Sequence, residues 1–535
     1  MKRIAVIGGG IAGLTAAYEL AQQARTGAPV EAVLFESSAR LGGLVETVRE
    51  GGFTVEAGPD GWVSAKPWAR DLAIELGLAD ELIPSNDAAR KTWILLSTPE
   101  NPAGRLVPMP DGFHMMVPTD LDALEGSPLF TPSAIAAYRA EPARAAELRA
   151  AAPAQDESVA AFTLRHFGPE VLDRIAAPLL SGVFGGDVRR LSVRAVMPQF
   201  VAMEREHGSL IAALQATETR ERTSSIFTTL RSGLGTLADR LTAAIPPHWI
   251  RRNTAVTALQ SPSAPSSPAW TVLTKTGKHR GSETFDAVFL ATPLDVTRRL
   301  LAPLDAHSAD LLPTESSSAV LIAFAYADAA RVPVPPGFGF LVPPHQTDAT
   351  TPTPGPLHSP AHQQSPVRHP SPVRHSEQRS ESPSFASDPS TQKVPSSLLL
   401  ACTFMDQKFP HRVPPNGRLI RAFFGGAAAD RVSRCNNDEI AAIARLELAR
   451  TFHANAPHAS ATPAPPPVLT LVRRWPNSLP QYAVGHPDRV AELESYLRSA
   501  LPGLTLLGNA LHGVGLPDLI RDARAAARRQ LTTNN

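Results

Sequence analysis

The sequence predicts an α/β fold: a Rossmann-like nucleotide-binding domain, a discontinuous mixed α+β domain, and a helical subdomain whose composition leaves membrane association open. Three observations predict it. The chain opens on a short branched strand, then Gly8-Gly9-Gly10-Ile11-Ala12-Gly13, then an Ala- and Leu-rich helix. This α/β character gives way to Ala-rich helical sequence and then to mixed strands, so the domains are discontinuous. A second Gly-rich turn, Gly508 to Asp518, runs into a helix almost at the other end of the chain.

Each element follows from local chemistry. Ile4-Ala5-Val6-Ile7 suits a parallel strand buried on both faces. Leu14 to Ala24 is a helix, and Val30 to Phe35 a second strand that ends in Glu36. Residues 45–60 alternate in polarity and predict a hairpin closing at Gly51-Gly52. From about 133 to 225, apolar residues recur at three- and four-residue spacing, as in amphipathic helices. Strands return near Val256–Leu259, Trp270–Thr274 and Ala287–Leu290. Residues 343–396 are dominated by Pro, Ser, Thr, His and Gln, and repeat Ser-Pro-Val-Arg-His at 365–369 and 371–375. Such a segment buries too little apolar surface to offset its chain entropy, and it reads as a disordered insertion between strands Phe338–Val342 and Leu398–Phe404.

At 535 residues the chain exceeds one hydrophobic core. The expected organisation has a nucleotide-binding domain in three parts, 1–90, 226–300 and 471–535. Helical and substrate-domain segments occupy 91–225, and the substrate domain continues in 301–342 and 397–470. The formal charge of +1, from 51 Lys+Arg against 50 Asp+Glu, argues against nucleic acid. The two cysteines, Cys402 and Cys435, have no metal-site spacing, which fits a reducing cytoplasm and no metal. The longest strongly apolar stretch, Ala319 to Ala327, is about half a membrane span. Peripheral contact with the inner face of the cell membrane stays open.

Four motifs carry the chemistry. In Gly8-x-Gly10-x-x-Gly13 the glycines serve the tight turn, the close approach of a pyrophosphate and the packing of helix on strand. Glu36 lies 23 residues beyond Gly13, where a carboxylate accepts hydrogen bonds from a ribose. Arg40-Leu41-Gly42-Gly43 follows at once. It favours a cofactor extending across the domain, FAD over NAD, with Arg40 able to neutralise a phosphate. Glu56-Ala57-Gly58-Pro59-Asp60-Gly61 is a turn closing the hairpin. Gly508-Asn509-Ala510-Leu511-His512-Gly513-Val514-Gly515-Leu516 presents Gly-rich backbone and a helix N-terminus, suited to an anionic or electron-rich group.

With these motifs the chain resembles the oxygen-dependent protoporphyrinogen/coproporphyrinogen III oxidases, within the flavin amine oxidase-like group. Ser181-Gly182-Val183-Phe184-Gly185-Gly186-Asp187 and Gly337-Phe338-Gly339-Phe340-Leu341-Val342-Pro343 are the more characteristic parts. Phe424-Gly425-Gly426-Ala427, Arg474-Trp475 and Leu479-Pro480-Gln481-Tyr482 add to the match. The resemblance implies FAD as cofactor, with Gly8, Gly9, Gly10, Ile11, Ala12, Gly13, Glu36, Ser37, Arg40, Gly43 and Leu44 on its ADP half and adjoining parts. It implies Gly58, Pro59, Asp60 and Gly61 on the flavin side, Val256 at the adenine, and Trp475, Asn509, Val514, Gly515 and Leu516 in the flavin site. Arg90 stands where relatives place a base for a substrate propionate, and Lys91 could serve as well. No catalytic acid or base is assigned, and His512 reads as a local structural residue.

The implied reaction is the six-electron oxidation of a porphyrinogen to a porphyrin, with O₂ reduced to H₂O₂, in haem biosynthesis. The implied assembly is a homodimer that contacts ferrochelatase. The alternatives are a flavin amine oxidase acting on a polyamine or aromatic amine, and a non-catalytic nucleotide-binding module. Five Tyr give few candidates for an amine cage.

Overall fold

Five parallel strands form a sheet in the order Ile250–Arg251, Val30–Phe35, Lys2–Ile7, Ala287–Leu290, Leu504–Leu506. The structure is a computed structural model and describes residues 1–98, 101, 103–217, 225–262, 269–344, 397–453 and 464–532. The central strands are apolar throughout and alternate between two cores. Ile4, Val6, Ala287 and Phe289 face one core, while Ala5, Ile7, Val288 and Leu290 face the other. On the first face the helix Ile11–Arg25 packs against the C-terminal helix Leu516–Thr532. Leu14, Ala17, Tyr18 and Ala21 share that core with Ile520, Ala523, Ala526 and Ala527. At its rim Arg524 and Arg528 pair with Glu19 at 2.9 and 2.7 Å.

On the second face lies an antiparallel sheet of Ala255–Gln260, Trp270–Thr276 and His279–Phe285, with Trp270 fully buried. The strand His279–Phe285 is exposed along most of its length, so it carries no apolar periodicity. The expected hairpin forms from Thr47–Glu50 and Phe53–Glu56.

A seven-stranded sheet has the order Leu469–Pro480, Ser316–Tyr326, Arg418–Gly425, Ala401–Phe404, Gly339–Leu341, Thr92–Leu96, Arg105–Pro108. It is antiparallel except where Gly339–Leu341 runs parallel to Thr92–Leu96. A boundary at 470/471 therefore falls inside the strand Leu469–Pro480, whose pairing with Ser316–Tyr326 ties it to this sheet. The strands Gly339–Leu341 and Ala401–Phe404 are direct neighbours, so the intervening insertion joins two adjacent strands. The reading of that insertion as disordered concerns residues 345–396, which lie outside the described residues.

Helices from Pro132 to Thr217 build a separate core around Leu129, Tyr138, Phe162, Phe167, Ile175, Leu180 and Ile211. One turn of it, Leu172–Ala176, is a π-helix. Among the described residues no helix is long and apolar enough to cross a membrane.

Candidate functional site

The first and last strands of the parallel sheet each end in a Gly-rich turn that enters a helix, and both turns open at the carboxyl edge of the sheet. In open α/β sheets this edge is where ligands bind. Gly13 is required for the geometry, because a Cβ there would sit 1.9 Å from the carbonyl oxygen of Gly8. Gly10 is different. A Cβ on it would meet only the Cα of Gly43, at 4.0 Å, so Gly10 borders open space. Gly10 is also the N-cap of the first helix, with no side-chain cap, and no acidic residue lies in the first turn. The free amides of Ile11, Ala12 and Gly13 and the positive helix end therefore fit a pyrophosphate.

Glu36 is held at this edge. Its Oε2 accepts from the Gly9 amide at 2.8 Å and its Oε1 from the Ser38 amide at 2.7 Å. Ser37 is exposed beside it and donates to Oε1 at 3.3 Å. Backbone bonds from Glu36 to Arg251 and Thr254 bring in the segment that leads to Val256. The Val256 side chain itself points into the core of the antiparallel sheet. Gly42 donates to Gly9 at 2.8 Å, which lays the second Gly pair beside the first.

Arg40 donates from its guanidinium to the carbonyls of Leu41 at 3.0 Å and Val45 at 2.8 Å, and also to Gly43. It staples its own loop while its side chain stays 44% exposed. Leu44, in the same loop, stays 39% exposed.

The turn 56–61 rests on charges that no local pattern announced. Asp60 pairs with Lys408 at 3.0 Å and with Arg421 at 3.3 Å. Glu56 pairs with Arg412 at 2.8 Å and accepts from the Leu234 amide at 2.8 Å. Arg421 also donates to the Gly58 carbonyl. Burial alone would raise Asp60, but Lys408 and Arg421 outweigh it and hold the carboxyl below its usual range. Burial raises Glu56 and lowers Arg421. Trp475 donates its indole N–H to the Ala57 carbonyl at 2.9 Å, fixing the turn to the seven-stranded sheet. Gly61 packs against Thr228.

The C-terminal turn is clamped on all sides. Asn509 donates to the Ser478 carbonyl at 2.7 Å, and Tyr482 donates to the Asn509 carbonyl. His486 stacks on Tyr482 at 4.1 Å and donates from Nε2 to the Leu511 carbonyl at 2.7 Å. Burial pushes His486 down to about 4, so it is a neutral donor near pH 7. Leu516 is buried, while Val514 is half-buried and packs against the helical core, as do Leu179, Phe184 and Leu341. A Cβ on Gly515 would come within 3.2 Å of Asp518 Oδ2, so the missing side chain also makes room for that carboxylate. Asp518 is neutralised by Lys66 at 2.6 Å.

The structure thus gathers the residues at 8–13, 36–44 and 253–256 around one edge. It gathers 56–61 with Trp475, and 509–516 with Tyr482 and His486. Arg90 is half-buried with its amide bonded to the Asp87 carbonyl, just after Asn86, whose amide is bonded to Lys408. Among the described residues there is no group of three or more His, Cys, Asp or Glu that could hold a metal.

Residues 11–335 and 374–531 match the family model of the flavin containing amine oxidoreductases. This chain belongs to that family. Its Gly-rich turn, uncapped helix and the carboxylate of Glu36 at the strand end fit FAD as the flavin. The chain is similar to the coproporphyrinogen III oxidase of Bacillus subtilis strain 168, 28% identical, across 99% of this chain and 98% of that protein. It is 25% identical to protoporphyrinogen oxidase 1, chloroplastic, of Arabidopsis thaliana, over 98% of this chain and 86% of that protein. A solved structure from Exiguobacterium sp. 255-15, assigned by name as a protoporphyrinogen oxidase, superposes with a TM-score of 0.75. It is 26% identical and covers 100% of this chain and 99% of its own.

Proposed function

We propose that the chain is an FAD-dependent porphyrinogen oxidase of haem biosynthesis, with coproporphyrinogen III as preferred substrate. The observation that carries this reading is similarity running end to end to coproporphyrinogen III oxidases, including that of Bacillus subtilis. The SGVFGGD and GFGFLVP segments, the more characteristic parts of the resemblance, support it. Amine oxidases such as cyclohexylamine oxidase from Brevibacterium oxydans are 16% identical and share the fold alone.

A porphyrinogen loses six electrons and six protons in becoming a porphyrin, and three O₂ become three H₂O₂. FAD, when bound, would supply the two-electron redox chemistry, with O₂ as the final acceptor. The chain's own residues supply place and environment. Val514, Leu341, Leu179 and Phe184 offer an apolar surface suited to a flat tetrapyrrole. Gly58–Gly61, braced by Lys408 and Arg421, and Val514–Leu516, braced by Tyr482 and His486, would flank the flavin. Arg90 or Lys91 would receive a propionate carboxylate. In the same reading the protein works in the cytoplasm or on the inner face of the membrane, as a homodimer, and passes product towards ferrochelatase.

The test is porphyrin absorbance and kcat/KM for purified protein with coproporphyrinogen III, protoporphyrinogen IX and a set of amines. Porphyrin formed faster from coproporphyrinogen III is expected. Turnover of amines without porphyrin formation would sink the proposal.

A further inference from the structure

We propose that His512 is a positioning residue whose protonated ring clamps the turn 508–516 between the helices His486–Ala500 and Leu516–Thr532. The proposal rests on the reading that this turn lies against the flavin.

The geometry is a carboxylate on each ring nitrogen. Nδ1 lies 3.3 Å from Asp522 on one helix, and Nε2 lies 3.5 Å from Glu494 on the other. Only the imidazolium can donate to both. A neutral ring donates to one and turns a lone pair on the other carboxylate, so losing the proton opens one side of the clamp. The other anchors of the turn keep their hydrogen bonds throughout the neutral range. They are the Asn509 amide, the Tyr482 hydroxyl and the neutral His486 ring.

The charged groups around His512 come from three elements. Asp522, Arg521 and Asp518 stand on the C-terminal helix, with Arg521 pairing to both carboxylates at 2.7 and 3.4 Å. Glu494 stands on the helix His486–Ala500, whose His486 ring also feels the charge on His512, and Lys66 pairs with Asp518. The hydrogen bond that the ring donates to Asp522 is the main reason that it keeps its proton above the ordinary imidazole range. The clamp is therefore fully closed below about pH 6.5 and opens as pH rises through that higher value. Two and three residues on stand Val514 and Gly515, so the clamp acts through the backbone and not on any reacting atom.

The experiment uses holoenzyme. FAD release after dilution is followed by flavin fluorescence, and the thermal midpoint is recorded in parallel, from pH 6 to 9 at low and high salt. Wild type is expected to release FAD about two- to fivefold faster at the alkaline end at low salt, the range of a partly exposed ion pair. His512→Gln should release at the fast rate at every pH, and His512→Lys, a permanent cation, at the slow rate. A Gln variant that keeps the wild-type pH dependence would overturn the proposal. So would a Gln variant that flattens only the thermal midpoint, which would place the turn away from the flavin. Absence of flavin from the wild-type holoenzyme preparation would instead overturn the FAD reading itself.

Discussion

The backbone amide of Asp187 donates to the side-chain oxygen of Gln481 at 3.1 Å, across 294 residues of sequence. Around this bond two distant motifs close on each other. A Cβ on Gly186 would lie 2.3 Å from the same oxygen, and one on Gly185 would lie 2.6 Å from Leu479. Gly185 has φ of 66°, the left-handed conformation that ends the helix Ala177–Phe184. The glycine pair is therefore what lets Leu479-Pro480-Gln481 come so close.

Replacing Gln481 by Leu takes the acceptor away from the partly buried Asp187 amide. Thermal or denaturant unfolding should show a loss of about 0.5–1.5 kcal/mol. Gln481→Glu keeps an acceptor, so its chevron or melt should lie nearer wild type at pH values where the carboxylate is ionised. Equal losses for the two variants would show that the bond is incidental.

Gly10→Val and Gly13→Val should fail differently. The first adds methyls to open space beside Gly43, so the protein should fold yet bind no FAD. The second drives a Cβ into the Gly8 carbonyl and should reduce soluble folded protein. Flavin occupancy by absorbance, set beside far-UV circular dichroism, separates them. A Gly10→Val protein that stays fully yellow would remove the site from this edge of the sheet.

Gly515→Ala brings a methyl to within 3.2 Å of the Asp518 carboxylate. The variant is expected to keep FAD through Glu36 and the N-terminal turn but to shift the first turn of the C-terminal helix. Anaerobic reduction by porphyrinogen should slow, and the flavin potential should fall. Rapid mixing and potentiometry on the fully flavinated variant read both. Unchanged values would mean that this backbone does not face the ring.

The helical core contains a buried ionic network that makes its own pH prediction. His166 lies 3.0 Å from both Glu141 and Glu204, all three almost wholly buried. Burial alone would lower His166, but its hydrogen bonds to Glu141 and Glu204 outweigh that and raise it. Glu204 is held low by His166 and Arg165 against the effect of its own burial. The raised histidine stabilises fully below its unfolded value and loses this as pH rises through the folded one. The depressed glutamate stabilises above its unfolded value and loses this as pH falls through the folded one. Thermal midpoints should therefore fall on both sides of a maximum near pH 5 to 6.5. In His166→Gln the alkaline fall should be shallower; an unchanged alkaline limb would assign it to other groups.

Much of this was legible in the sequence where the determinant is local. The first βαβ unit announces itself because Gly13 must touch Gly8, and Glu36 sits at the end of the very next strand. The strand His279–Phe285 gave no signal, since six of its seven side chains are exposed or half-exposed. The membership of Leu469–Pro480 was hidden because pairing with Ser316–Tyr326 decides it. Nothing in the neighbours of Arg40 reveals that three carbonyls of its own loop accept from it. The support of Asp60 came from Lys408 and Arg421, more than three hundred residues away. One signal did exist: Arg421 interrupts the apolar run Leu419-Ile420-Arg421-Ala422-Phe423, and a charge on a buried strand needs a partner.

The parallel sheet places its first strand between Val30–Phe35 and Ala287–Leu290, and adds Leu504–Leu506 at the edge. A ribosome making about 5–20 residues per second therefore delivers the two ends of the sheet tens of seconds apart. Throughout that interval the nascent chain carries a cofactor cradle with only one wall, and the apolar faces of Leu14, Ala17 and Ala21 wait for the helix that will cover them. The second wall of that cradle exists only once Leu504–Leu506 and the helix after it have been made.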